Sequence, residues 1–213
     1  MAAELVFYTH PMSRGRIVRW MLEELGQPYR TEVLDYATTL KGPAYLAINP
    51  MGKIPAITHG DAVVTEAAAI CAYLADAFPA AGLSPPLGDA RRAPHLRWLF
   101  FAAGPVESVV ITKALGVEVT PEQKRMAGWG DAADTMNALE GAVKGREFIA
   151  GDRFSAADVY VGAQLGWGMQ FGSIDKRPAF EAYVERLQSR PASVRAREID
   201  DALLAKLQPA QGG

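Results

Sequence analysis

Residues 4–8 (Glu-Leu-Val-Phe-Tyr) are rich in β-formers and run into Thr9-His10-Pro11-Met12. Beyond that loop Ile17, Met21 and Leu25 recur at helical spacing, with Val18 and Leu22 beside them. Gly26 and Pro28 end the helix, and residues 29–36 alternate as a second strand. Strand, helix, strand over about 30 residues is a βαβ unit, whose right-handed crossover makes the two strands parallel. Two short apolar runs, 54–58 and 62–65, flank His59-Gly60-Asp61 and predict a β-hairpin with His59 in its turn. A helix follows over 66–78, with Ile70 and Leu74 on one face.

Chain-breaking residues then concentrate over 79–92, which predicts a linker. We place the first domain at 1–80, the linker at 81–91 and a second domain at 92–213. No strand pattern recurs beyond the linker. Phe180, Tyr183, Val184 and Leu187 fall at i, i+3, i+4, i+7, and Met126, Trp129, Ala133 and Met136 keep the same period. The fold class is therefore α/β plus all-α, a small mixed sheet with helices followed by a helical bundle. Ser155 and Asp158 have capping-box spacing at the start of one of these helices.

Composition narrows the function classes. With 49% hydrophobic and 22% charged residues the chain has the apolar content of an ordinary globular protein. A net charge of -2 provides no general attraction to phosphate backbones or anionic lipid, so neither nucleic acid nor membrane is an expected partner. The single cysteine, Cys71, rules out an internal disulfide framework and CxxC motifs; among alanines on a helix it reads as a small buried hydrophobe. No metal-ligand cluster is apparent. The opening residues lack the basic and apolar pattern of a leader, and a cytoplasmic protein is expected.

Three segments carry candidate chemistry. In Pro11-Met12-Ser13-Arg14-Gly15-Arg16, a serine sits where a strand gives way to a helix, whose free amides and positive end favour an anion. From position alone Ser13 reads first as an N-cap, and Arg14 and Arg16 as solvated helix-start charges. In Asn49-Pro50-Met51-Gly52-Lys53-Ile54-Pro55-Ala56-Ile57, a proline stands where a strand should begin, and sequence physics leaves Pro55 cis or trans. At Thr65-Glu66-Ala67, a carboxylate precedes a helix N-terminus, a pairing suited to a zwitterion and also common simply because it suits the helix dipole. His10 reads as a solvated loop residue and His95 as a surface one.

Together and in this order, these segments resemble the cytosolic glutathione transferase family, and so does Gly151-Asp152-Arg153-Phe154-Ser155-Ala156-Ala157-Asp158 in the second half. The resemblance covers nearly the whole chain and is most specific in the segment from Asn49 to Ile57. It implies a thioredoxin-like N-terminal domain with a mixed four-stranded sheet, an all-helical C-terminal domain, glutathione as co-substrate, no metal and a homodimer. By position, Ser13 matches the catalytic hydroxyl of the serine-type classes, and Arg16 would raise the local positive potential. Ile54 matches the residue whose backbone grips the cysteinyl part of glutathione, before a cis Pro55. Lys53 matches the contact to the glycyl carboxylate, and Glu66 with the Ala67 amide the γ-glutamyl anchor. The family's usual hydroxyl residue is absent at Ala67, a hydrogen bond of about 0.5–1.5 kcal/mol.

The implied activity is conjugation of the glutathione thiolate to a small hydrophobic electrophile in detoxification, with a peroxidase side activity as an extension. Met12, Phe101, Ser108 and Trp167 are the expected electrophile contacts. Tyr8 competes with Ser13 as the activating hydroxyl, because other classes use a tyrosine near the end of the first strand; it reads equally as a packed strand aromatic. A noncatalytic glutathione- or ligand-binding scaffold of the same fold is the alternative.

Overall fold

The computed structural model describes residues 3–207, so the expected domain ends at 1–2 and 208–213 lie outside the described residues. These residues divide into two compact units. One runs to Ala81 and is rejoined by the chain from Arg190 onward; the other is Gly82–Ser189.

In the first unit β1 (Leu5–Thr9), β2 (Arg30–Val33), β3 (Ala56–His59) and β4 (Ala62–Thr65) form one mixed sheet in the order β2-β1-β3-β4. β1 is parallel to β2 and antiparallel to β3, which is antiparallel to β4. The helices are α1 (Gly15–Leu25), the short α2 (Pro43–Leu46), α3 (Ala67–Ala77) and the final α10 (Pro191–Leu207). This is the thioredoxin-like arrangement expected. Phe7, Ile57, Val18, Met21, Ile70 and Leu74 are buried in its core. Cys71 lies among them, where burial pushes its thiol up to about 12.

Three local expectations shift. β3 begins at Ala56, not residue 54, because Pro55 has no amide to give to a ladder. β2 stops at Val33, because the Asp35 carboxylate accepts from the amides of Ala37 and Thr38 at 3.0 and 2.9 Å and turns the chain away. His59 is a strand residue paired with Ala62 rather than part of the turn, which Gly60 makes with φ 58°. Its Nδ1 lies 3.0 Å from the Tyr73 hydroxyl.

The second unit is helical, as expected: α4 (Arg92–Phe101), α5 (Glu107–Ala114), α6 (Pro121–Lys124), α7 (Ala132–Val143), α8 (Ala156–Gln170) and α9 (Pro178–Gln188). A wide turn of π-helix over Ala102–Val106, holding Pro105, joins α4 to α5. Met126 and Trp129 do not share a helix with Met136. Gly130 adopts φ 70°, and Asp131 starts α7 afresh by accepting from the Asp134 amide at 2.8 Å. His95 is buried, not superficial, because it shares the inward face of α4 with Trp98 and Leu99.

The capping box at α8 forms, with the Asp158 carboxylate 2.9 Å from the Ser155 amide. That carboxylate also accepts from the Ile149 amide at 2.8 Å and the Tyr183 hydroxyl at 2.7 Å, so it ties three segments of the unit together. Burial pushes both acids up: Asp158 against the pull of these donors, and Tyr183 far enough to remain a proton donor.

Candidate active site

Strand register brings the candidate residues to one end of the sheet. Tyr8 pairs with Ala56 and Ala56 pairs with Thr65, so the chain leaving β1, the chain entering β3 and the chain leaving β4 lie side by side. These exits carry Ser13, then Lys53, Ile54 and Pro55, then Glu66 and Ala67. Two inter-strand spacings separate the outer exits, about 10 Å, which is roughly the length of an extended tripeptide.

The exit from β1 is a tightly bonded turn. The Ser13 hydroxyl donates to the His10 carbonyl at 2.6 Å and accepts from the Gly15 amide at 2.9 Å. It therefore occupies the first amide of α1 while keeping a transferable donor. Gly15 makes this possible: a Cβ there would overlap the Thr9 hydroxyl and lie 2.9 Å from Ser13 Oγ. The Met12 amide donates to His10 Nδ1 at 3.1 Å, and the Tyr36 hydroxyl donates to the Met12 carbonyl at 3.0 Å. The rings of His10 and Tyr36 are also in contact, tilted at 58° with centroids 4.7 Å apart. Burial holds the His10 ring below its ordinary 6.5 despite the nearby Asp35 carboxylate, so the ring is neutral at pH 7 and Nδ1 remains an acceptor.

Arg16 is not a free surface charge. Its Nε donates to the Pro11 carbonyl at 2.6 Å and its Nη2 pairs with Asp201 at 2.7 Å. Tyr8 packs in the cluster of Leu40, Tyr45 and Ala56, its ring 5.7 Å from that of Tyr45.

The entry to β3 is held from below. The Lys53 carbonyl accepts from the Tyr45 hydroxyl at 2.6 Å and from Asn49 Nδ2 at 2.8 Å, and Asn49 Oδ1 accepts from the Met51 amide at 3.1 Å. Burial raises Tyr45 to about 12, which keeps it protonated as a donor. The Ile54–Pro55 peptide is cis. Neither the amide nor the carbonyl of Ile54 has a backbone partner among the described residues.

At the β4 exit a single residue turns strand into helix. Glu66 takes φ 66° and ψ 118°, the one positive φ outside glycine among the described residues, a conformation costing roughly 1–3 kcal/mol. Such strain persists where surrounding structure holds it, here the β4 ladder on one side and the Ile70 amide donating to the Glu66 carbonyl at 2.8 Å on the other. The amide of Ala67 opens α3, where intrahelical acceptors are lacking. The charged groups of Glu66 and Lys53 have no ion-pair partner among the described residues.

The remaining expected contacts fall in both units. Met12 is exposed in the first. In the second, Phe101 meets Trp98 edge to face at 5.2 Å, the Ser108 carbonyl accepts from the Thr112 hydroxyl at 2.7 Å, and Trp167 packs at a tilt against Phe171 at 4.8 Å. Trp98 is buried whereas Phe100 is 72% exposed. Sequence reasoning did not single out Tyr36, Tyr45, Asn49, Gly15 or Asp201. Asn49 and Gly15 lay inside segments already marked; the others had no local signal. Among the described residues no helix is long and apolar enough to cross a membrane, and no three His, Cys, Asp or Glu side chains group as a metal ion would need.

Comparison with known proteins gives a consistent result. The N-terminal domain model of glutathione S-transferases matches residues 12–77 and the C-terminal domain model residues 93–191. A glutathione transferase from Methylococcus capsulatus strain Bath superposes with a TM-score of 0.76 at 32% identity, over 93% of this chain and 99% of that one. A sphingomonad glutathione S-transferase, solved in complex with glutathione, gives 0.74 at 31% identity over 92% and 98%. Glutathione S-transferase GstA of Escherichia coli O157:H7 is 29% identical over 167 residues, 78% of this chain and 79% of the relative.

Proposed function

The chain belongs to the glutathione S-transferase family, and from that premise we propose that it conjugates the glutathione thiolate, activated by Ser13, to a small hydrophobic electrophile. The observation that carries this reading is that the strand exits leading to Ser13, to Lys53 and Ile54, and to Glu66 lie side by side at one end of the sheet, with a hydroxyl donor at Ser13 and, among the described residues, no ion-pair partner at Lys53 or Glu66. Glutathione would lie along that end with its thiol at Ser13 and its γ-glutamyl group at Glu66 and the Ala67 amide. Its cysteinyl backbone would pair with Ile54 beside Pro55, and Lys53 would meet its glycyl carboxylate.

The thiol must lose its proton to react, since the thiolate is the nucleophile. In the free protein the Ser13 proton is given to the His10 carbonyl. An arriving sulfur replaces that carbonyl as acceptor, while the Gly15 amide, donating to Ser13 Oγ, fixes the oxygen and polarises its O–H. A donated hydroxyl bond and a helix N-terminus together favour the thiolate by roughly two pKa units. The proton leaves to solvent, the sulfur attacks the electrophilic centre, and the leaving group departs with the displaced electron pair.

Recognition of the electrophile is assigned to Met12, Phe101, Ser108 and Trp167. A glutathione peroxidase activity, a detoxifying role in the cytoplasm and a homodimer belong to the same proposal; light scattering at micromolar concentration tests the last. The packing of Tyr8 against Tyr45 favours Ser13 over Tyr8 as the activating group. The missing hydroxyl at Ala67 favours the scaffold reading, in which ligand binds without chemistry.

Calorimetric titration of glutathione in two buffers of different ionisation enthalpy separates these readings. Transfer requires saturable binding with proton release near pH 7 that Ser13→Ala abolishes. Binding without proton release would leave a glutathione-binding scaffold, and no binding at millimolar glutathione would sink the transferase reading and leave a scaffold for another ligand.

A further inference from the structure

α1 and the chain entering α10 carry their paired charges in the same order, basic residues before acidic ones. Along α1, Arg16 and Arg19 come first, with Glu23 and Glu24 near its end. From Arg190 into α10, arginines 190 and 195 come first and Asp200 and Asp201 later. The pairs formed are Arg16–Asp201 at 2.7 Å, Arg19–Asp200 at 3.2 Å, Arg195–Glu23 at 3.3 Å and Arg190–Glu24 at 2.7 Å, an antiparallel ladder. A helix dipole favours acids in the first turn and bases in the last; α1, with Arg16 in its first turn and Glu23 and Glu24 near its end, runs against that order, and the pairing accounts for it. The Arg19–Asp200 rung is buried, with Arg19 also donating to Tyr29 and Thr31, and this fixes the register.

The last rung reaches beyond the ladder, because the guanidinium that Asp201 holds also donates to the Pro11 carbonyl at 2.6 Å, two residues before Ser13. Arg16 is mostly buried and Asp201 mostly exposed, so the carboxylate arrives from the outer side of a cation already seated on the turn. We propose that Asp201 is a positioning residue for thiol activation: through Arg16 it sets the Pro11 carbonyl, and with it the turn that carries the Ser13 hydroxyl. This rests on the reading of Ser13 as the thiolate donor.

The proposal separates two ways in which Asp201 could be felt. If it acts by position, an acceptor oxygen without the charge should serve. If it acts only by charge, removing the charge should strengthen Arg16 as a cation and favour the thiolate.

The experiment compares wild type, Asp201→Asn and Asp201→Ala in steady-state conjugation of glutathione to 1-chloro-2,4-dinitrobenzene across pH. Amide hydrogen exchange of the free proteins runs in parallel. For Asp201→Ala, kcat/KM is expected to fall up to about fivefold, the ceiling for an exposed pair, with the apparent thiol pKa moved upward. Asp201→Asn should stay within about twofold of wild type. Exchange at the Met12 and Gly15 amides should quicken in Asp201→Ala by up to about fivefold, while the amides of β1 and β3 stay as protected as before.

The inference is overturned by an unchanged pH profile and unchanged Met12 and Gly15 exchange in Asp201→Ala. A fall of the apparent thiol pKa in both variants also overturns it, as does equal loss of protection in the sheet, which would make Asp201 a general brace. Exchange needs no turnover. If wild type proves inactive, the transferase reading fails, while unaltered exchange in Asp201→Ala would still refute the positioning of the turn.

Discussion

The two ends of the candidate glutathione site are built on opposite plans. Around Ser13 the polar groups are already spoken for: the carbonyls of His10, Pro11 and Met12 accept from Ser13, Arg16 and Tyr36, and the amides of Met12 and Gly15 donate to His10 and Ser13. Around Lys53 and Glu66 only the backbone is tied down, by Tyr45 and Asn49 beneath Lys53 and by the β4 ladder before Glu66, while the charged tips stand open. A hydroxyl that must hold a developing thiolate gains from fixed geometry, because electrostatic stabilisation needs donors in place before charge forms. Charges that recognise a zwitterion gain from being free of internal partners, since no ion pair has to be broken on binding. On the proposed reading, the turn serves chemistry and the rim serves capture.

Disturbing the closed end should have the largest effect. Ala at Gly15 would place a Cβ in overlap with the Thr9 hydroxyl, 3.1 Å from Thr9 Cβ and 2.9 Å from Ser13 Oγ, so the turn must move. A displacement near 1 Å at a reacting group costs about a hundredfold in rate, and overpacking costs about 1–3 kcal/mol of stability. Gly15→Ala should therefore lower kcat/KM about a hundredfold, chiefly through kcat. Equal kcat in a stable Gly15→Ala protein would mean that the turn is not closed in the sense drawn here.

The open end should respond in KM instead. Glu66→Gln removes a charge that meets the ligand alike in ground and transition states, so KM for glutathione should rise about tenfold while kcat holds. Ala67→Ser restores a hydroxyl at the start of α3 and should lower KM by up to about tenfold. A fall in kcat for Glu66→Gln would show that the rim also takes part in the chemistry, and would erase the contrast between the two ends.

Much of this was legible along the chain, and the exceptions share a cause. The βαβ unit, the hairpin and α3 follow from local periodicity, and the segment from Asn49 to Ile57 is marked by a proline where a strand should begin and by its resemblance to the family. The supports of the site do not. Tyr36 and Tyr45 act on carbonyls 24 and 8 residues away, and Asp201 meets Arg16 across 185 residues, so no local pattern could reveal them. His95 was misplaced because a polar side chain on a helix reads as exposed until the helix's inward face is known, and here it shares that face with Trp98 and Leu99. Met126 and Trp129 keep helical spacing with Ala133 and Met136, but α6 ends at Lys124 and the next helix starts only at Asp131.

The smallest expected effect concerns the one titrating group in the closed turn. His10 binds its proton more weakly folded than unfolded, because burial lowers it from 6.5 and outweighs the pull of Asp35. A histidine so depressed contributes its stability fully above pH 6.5 and loses it as pH falls through the lower folded value. Protonation at Nδ1 also removes the acceptor for the Met12 amide. His10→Phe keeps a ring against Tyr36 and deletes only that acceptor, so urea unfolding should find it less stable than wild type by about 0.5–1.5 kcal/mol at pH 8. The gap should narrow as pH falls from 6.5 through the lower folded value, below which the wild type has lost the same bond. A gap that stays constant or widens toward acid would mean that the Met12 amide is held by something other than neutral His10, and that the turn is less closed than the Ser13, Arg16 and Tyr36 contacts make it.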